Sequence, residues 1–471
     1  MTISRSELDR VLGAGAGDNE LSRARVSTKQ FVRSVDQLAE SSPGARGRKL
    51  TAFEALDAYG WDTLRAVADE GAALLAASAT SAGSALRSRR ELLGLSARVV
   101  GLGAHVPEAV VVACENSQRV SVHEYEKIAR VLGLDERLLS FTTDPSGNRD
   151  VAVRLRTIGE EMPPMTPTVV SAIAEASWVA AQQIRFETLL FGKRDRLFTP
   201  EPNYGTSSSP AYRVGYQLAA LARERLGLGV QAIQSLRELT EERLGIPVIQ
   251  SELGSDIAGV TLEVEQQRAI VLNIGGSNRN VFVRRSTLAH ELGHLLFDPP
   301  RQLNVLRVDD FDGLSHSAEA IRDPVEQRAN AFSVEFIAPR QSVLKVYQND
   351  PDAAVSSVMS TFGISYTAAR YQIWNALNRS VQIETLRASH AEPEPAWDGA
   401  ERYTVDYHPI PALRASRAGR FSAIALRAAQ EKLISWETVS SWLECTVQQL
   451  HEAQEGLRDL FPSVWTAPLA T

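Results

Sequence analysis

One eleven-residue stretch constrains this chain more than any other: Thr287-Leu288-Ala289-His290-Glu291-Leu292-Gly293-His294-Leu295-Leu296-Phe297. Leu288, Leu292, Leu295 and Leu296 recur at the spacing of a buried helix, and helix positions four apart stand one above the other. His290 and His294 can therefore offer two imidazole nitrogens to one metal ion without bending the backbone. Glu291 follows the first histidine, where a carboxylate can take a proton from an attacking water. His-Glu-x-x-His in an apolar helical frame is the pattern of a zinc-dependent peptidase. Histidine is rare here, eight in 471 residues, which argues against a chance pairing. Gly293 reads as room for a substrate or a neighbouring strand to approach the helix.

A chain of 471 residues is too long for a single core, and roughly three or four units are expected. Its 44% hydrophobic and 23% charged residues are those of a soluble globular protein. The net charge of −7 argues against a general nucleic-acid-coating role. Cys114 and Cys445 form no metal or redox motif and read as small buried hydrophobes. The first ten residues lack the apolar core of a signal peptide, and no run of eighteen apolar residues occurs. The expectation is a cytoplasmic protein with no membrane contact.

Residues 1–80 read as helical pieces separated by breaks at Gly13–Gly17 and Ser41–Gly47, with Phe53, Leu56, Tyr59, Leu64 and Val67 at helical spacing. In 84–141 the pattern Leu86-Arg87, Arg90, Leu93-Gly94-Leu95-Ser96, Val100, Val106-Pro107, Val111, Glu115, Ile128-Ala129, Leu132-Gly133-Leu134 resembles the XRE/Cro-repressor type of helix-turn-helix domain. Ser96 can cap the helix after Gly-Leu-Ser, and Val106-Pro107 marks the turn before the next. The resemblance implies that Glu108–Cys114 enters the major groove. A helix that reads base edges presents Arg, Lys, Asn, Gln, Ser or Thr, whereas this one carries an acid and small apolar groups. Ala97 stands where the family places a polar residue, and Ser117 where it places a glycine. Eight Lys/Arg against seven Asp/Glu in 84–141 also lack the basic excess of a DNA reader. DNA therefore stays an alternative partner of this module, beside protein interaction or dimerisation.

Phe141–Asp150 reads as a linker, 167–192 as a long helix, and 198–211 as a second break. Helices are expected over Tyr212–Leu226 and Val230–Leu244, both ending in Arg-Leu-Gly. The period then switches. Ile246–Gln250, Ala258–Leu262 and Arg268–Asn273 read as short strands, followed by a turn at Gly275-Gly276. Asn280–Val283 leads to the histidine helix, with Ser286 or Thr287 as its cap. The strand Arg268–Asn273 is read as an edge to which an extended peptide can add.

A catalytic zinc normally takes three protein ligands. Asp298, His316, Glu319, Asp323 and Glu326 are candidates for the third. Asp298 precedes Pro299-Pro300, which turns its side chain away; Glu326 opens a strong helical pattern through Pro339 and is the first choice, with His316 second. Small Ala329 lets that helix pack closely on the first. Arg285-Ser-Thr-Leu-Ala-His-Glu-Leu-Gly-His, followed by Glu-x-x-Ala-Asn-x-Phe and an Ala-Pro, resembles the ImmA/IrrE metallopeptidases over about residues 212–377. The resemblance implies His290, His294 and Glu326 as metal ligands and Glu291 as catalytic base. It also implies proteolysis of XRE-type repressors in stress, prophage or mobile-element responses. Phe362-Gly-Ile-Ser365 resembles the helix-turn-helix-like element that the family carries after its peptidase core.

Residues 387–405 read as a Pro/acid-rich linker, and the tail to Leu460 as helical, either a dimerisation or sensing pair or a cap on the peptidase. The expected fold is α+β and predominantly helical: a zincin-like metallopeptidase core with a small sheet, an all-α helix-turn-helix domain, and helical terminal regions. The expected domains are 1–80, 84–141, 150–385 (core 212–340, helix-turn-helix-like segment 352–378) and 405–471. The expected activity is that of an intracellular zinc endopeptidase, with manganese as the alternative ion, acting on a helix-turn-helix repressor or antitoxin. A homodimer is among the expected states. His316, Tyr366 and Tyr371 are candidates for stabilising the transition state. The rival reading is a DNA-binding regulator or antitoxin whose metallo-domain serves as a sensor.

Overall fold

The computed structural model describes residues 3–75, 81–118, 120–136, 166–193, 198, 209–255, 257–264, 267–298, 307–309, 323–388, 395–401 and 408–470. The chain divides into two compact units, residues 1–192 together with 408–471, and residues 193–407. The second is an insertion in the first, which the chain leaves after Gly192 and rejoins at His408. The linker expected at Phe141–Asp150 lies outside the described residues.

In the discontinuous unit, helices Arg5–Leu12 and Glu20–Val26 precede β1 (Gln30–Arg33), β2 (Gln37–Glu40), β3 (Arg48–Thr51) and β4 (Ala72–Leu74). The four strands form an antiparallel sheet of order β3-β1-β2-β4. Helix Ala52–Glu70 starts where the Thr51 side chain accepts from the Glu54 amide, and it buries Phe53, Leu56, Tyr59, Leu64 and Val67. The expectation that 1–80 consists of helical pieces separated by breaks is corrected by this sheet. Strands of three or four residues are too short to show an alternating pattern, and Arg33 and Arg48 fill inward positions normally held by apolar residues.

Helices Ser81–Leu92, Ala97–Ala104, Glu108–Glu115 and Val122–Val131 follow, with the Ser96 side chain capping the second. The long helix Pro167–Phe191 then packs on Arg420–Gln430 from the chain's tail. Trp178 meets Phe421 and Trp442 edge-on, at 5.7 and 5.5 Å between ring centres. Arg417 pairs with Glu175 at 2.7 Å and Arg420 with Glu187 at 2.7 Å. These contacts move helix 167–191 out of the expected 150–385 domain. They also make the tail a wall of the discontinuous unit. Helical spacing shows that a face is apolar but not which partner covers it. Cys114 is buried, and burial pushes its thiol up to about 12.

The inserted unit begins with helix Ala211–Arg225 and a short helix Leu236–Glu238 that widens into a π turn, Leu239–Arg243. The helix expected from Val230 starts later because Gly227 and Gly229 hold positive φ, and Ser235 provides the cap at 3.1 Å from the Glu238 amide. The sheet contains β5 (Val248–Ser251), β6 (Gly259–Val264), β7 (Gln267–Asn273) and β8 (Arg307–Asp309), in the order β5-β7-β6-β8. β5 runs parallel to β7, and the other pairs are antiparallel. The peptide-accepting edge expected at Arg268–Asn273 is therefore corrected: β7 is hydrogen-bonded on both sides, with Ala269, Ile270, Val271 and Leu272 fully buried.

The histidine helix spans Val281–Phe297 and starts at Asn280, whose side chain accepts from the Phe282 amide at 2.9 Å. Ser286 and Thr287, expected as caps, lie inside it and donate to the carbonyls of Phe282 and Val283. The segment expected only to lead to the helix is its first turn, because the Asn280 cap starts the helix before Val281. The glutamate helix Pro324–Ile337 opens with Asp323 accepting from the Val325 amide at 2.7 Å. At Gly293, an added Cβ would meet the Phe332 ring at 2.8 Å. The room provided by Gly293 is thus taken by packing between the two helices rather than by a substrate. Helices Ala354–Phe362 and Tyr366–Ala376 follow, and both pack into the same core.

Candidate metal centre

His290 and His294 project from one face of the histidine helix, and the glutamate helix lies across it. Glu326 stands in the first turn of that second helix, so its carboxylate reaches both rings. The Nε2 atoms of the two histidines are 3.0 Å apart, and Glu326 Oε2 is 3.2 and 3.5 Å from them. All three ligand atoms lie within 4.8 Å of one another. A tetrahedral ion with bonds of about 2.0 Å separates its ligand atoms by about 3.3 Å, and the three separations bracket that value. The donor set therefore fits a divalent ion such as zinc.

The other side of each ring is also engaged. His290 Nδ1 lies 3.0 Å from Asn330 Oδ1, and His294 Nδ1 lies 2.8 Å from Asp298 Oδ2. Both oxygens call for a proton on Nδ1, which leaves the Nε2 lone pairs for a metal. Asp298 is in turn paired with Arg328. The expectation that Asp298 points away is corrected: it is fully buried and reaches back to the ring four residues earlier. The two prolines end the helix without swinging the carboxylate outward. Asn330 was missed as a site residue, although it lies one helical turn after Glu326 and shares its face.

The charges of the cluster are strongly perturbed. Burial opposes a charge on His294, but the Asp298 and Glu326 carboxylates outweigh it and raise its pKa to about 9. Burial also opposes the charge on Glu326, which His290 and His294 hold far below the usual carboxylate range. His294 is thereby favoured in its protonated form and Glu326 as the carboxylate, which places opposite charges where a cation would stand.

Glu291 is fully buried on the sheet side of the helix and accepts a 2.5 Å hydrogen bond from the Thr261 hydroxyl on β6. A Cβ at Gly259 would lie 2.9 Å from Glu291 Oε1 and 3.0 Å from Thr287 Cγ2, so this strand passes close only because position 259 is glycine. Tyr366 lies under Arg370, and Tyr371 packs on Trp374. His316 and Glu319 fall outside the described residues.

Residues 241–373 match the family model Peptidase_M78, described as an IrrE N-terminal-like domain. This stretch is similar to a metallopeptidase domain. The match contains His290, Glu291, His294 and Glu326, and it supports the ImmA/IrrE resemblance for the inserted unit. Among curated proteins, none matches the chain. No single helix among the described residues is long and apolar enough to cross a membrane.

Proposed function

We propose that the chain is a metal-dependent endopeptidase in which His290, His294 and Glu326 hold a zinc ion and Glu291 is the catalytic base. The observation that carries this reading is the convergence of two imidazole nitrogens and one carboxylate oxygen beside a buried glutamate. A bound zinc would supply Lewis-acid polarisation of the scissile carbonyl and acidify the attacking water; manganese is the alternative ion. Glu291 takes the proton from that water and passes it to the leaving amine. Thr261 fixes the rotamer of Glu291 by donating to Oε2. Asn330 and Asp298 hold the rings in the tautomer that binds a metal. His316, Tyr366 and Tyr371 remain the candidates for stabilising the oxyanion.

The substrate we favour is a regulatory protein of the helix-turn-helix repressor or antitoxin class, cut in the cytoplasm. The ImmA/IrrE resemblance supports this choice. We read helices 81–131 as the XRE-like module and assign it to protein contact rather than base reading. Leu102 and Val112 on its middle helices are 69% and 42% exposed, a poor surface for hydrogen bonding to base edges. The test is co-expression with whatever repressor or toxin is encoded next door, comparing the unaltered chain with Glu291→Gln. The unaltered chain yields a shortened partner. Glu291→Gln keeps its zinc and cuts ~10²- to 10⁴-fold more slowly. Undiminished cleavage by that variant overturns the mechanism.

A further inference from the structure

β8 stands out of sequence order in its sheet. It comes from between the histidine helix and the glutamate helix, yet it pairs with β6, and its three residues are level with the part of β6 that touches Glu291. The register is Gly259 opposite Asp309, Val260 opposite Val308 and Thr261 opposite Arg307. Gly259 and Thr261 are the two β6 residues in contact with Glu291, one by close backbone approach and one by hydrogen bond. β7 is closed on both sides. The outer edge of β6 is therefore the edge along which an extended polypeptide would run one strand spacing from β6 at the level of Glu291. In this structure it carries a segment of the chain itself.

Resting on the peptidase reading above, in which an extended substrate lies along this edge of β6, we propose that Arg307–Asp309 is a built-in competitor for that place. An unfolded or extended segment can satisfy its backbone donors and acceptors on β6, whereas a helix cannot. A target would thus have to present a strand-like or locally unfolded stretch. β8 pairs with a single strand over three residues, so few hydrogen bonds resist its displacement. While it is paired, the apparent affinity for any other strand falls in proportion to the fraction of molecules with the edge free.

The test uses the full zinc-loaded chain in the Glu291→Gln background, so that binding is read without cutting. The probe is a fluorescein-labelled peptide with the sequence of residues 303–313. Val308→Pro removes a backbone donor from β8 and disfavours its pairing. With zinc content unchanged, this substitution is expected to tighten probe binding by about tenfold or more. Equal or weaker binding overturns the proposal. If Val308→Pro fails to fold, the double variant Arg307→Gly/Asp309→Gly takes its place under the same criterion. In parallel, chains retaining Glu291 are assayed on an unfolded protein. Tighter probe binding with no cutting by any Glu291 chain leaves the edge standing and removes the peptidase reading. Cutting without a change in probe binding does the reverse.

Discussion

In the discontinuous unit Arg48 and Arg33 meet Glu126, Arg417 meets Glu175, and Arg420 meets Glu187, so each of these four buried cations is answered by a carboxylate. In the inserted unit His290, His294 and Glu326 instead turn metal-binding atoms onto one another. Both arrangements bury charge, but the first is closed by its own residues and the second calls for an ion from outside. Burying a charge is costly in either case. The first arrangement meets the cost with opposite charges that tie the tail to the rest of its unit. The second leaves its ligand atoms facing one another, where a cation would answer the carboxylate of Glu326. A buried ionic cluster is thus a functional candidate when its lone pairs converge, and structural when its charges cancel.

The contrast can be broken most severely at Glu126. Burial opposes its charge, yet Arg48, with His123 and Arg33, holds it well below the usual carboxylate range. Glu126→Ala leaves two buried guanidinium groups uncompensated and is expected to cost about 3–5 kcal/mol. Denaturant unfolding should show the loss, while zinc uptake by the inserted unit stays unchanged. Loss of zinc binding in this variant would mean that the two clusters are not independent.

A smaller effect is expected at His408, where the tail rejoins its unit. Burial lowers its pKa to about 4. The folded value lies below the unfolded 6.5, so the unfolded chain binds more protons between them. The contribution to stability is complete above about pH 6.5 and is lost as pH falls towards 4, by up to about 3 kcal/mol. Thermal unfolding followed across that window should show the slope, and His408→Gln should flatten it. An unchanged slope in the variant assigns the acid sensitivity to another group.

Asn330→Ala tests the open cluster most gently. It removes the oxygen on His290 Nδ1 but none of the three ligand atoms. Zinc affinity measured by competition with a chelator is expected to fall about 10- to 100-fold, with the stability of the discontinuous unit unaltered. Full affinity would show that helix packing alone orients His290.

The histidine helix and the start of the glutamate helix were legible because a metal site needs particular residue types at helical spacing. The strands β5, β6 and β7 were legible because β-branched runs bounded by turn residues carry their own signal. β1 to β4 were not legible, since three- and four-residue strands leave too short a pattern and place Arg33 and Arg48 inside. The start of the histidine helix was expected at Ser286 or Thr287, both of capping type, whereas Asn280 supplies the cap more than one turn earlier.

Sequence by itself determined the local chemistry: which residues could bind a metal, which could move a proton, and which segments had helical or strand periodicity. Those properties depend on neighbours a few positions away. Only the tertiary structure decided what lies far along the chain but close in space. Asp298 with Arg328 and Asn330 settle on the outer sides of the two histidines, β8 covers β6 at the level of Glu291, and the tail returns to pack on Trp178. Spacing along the chain shows that a face is apolar or a donor is present, but not what packs against it. Long-range pairing depends on shape and charge meeting in three dimensions.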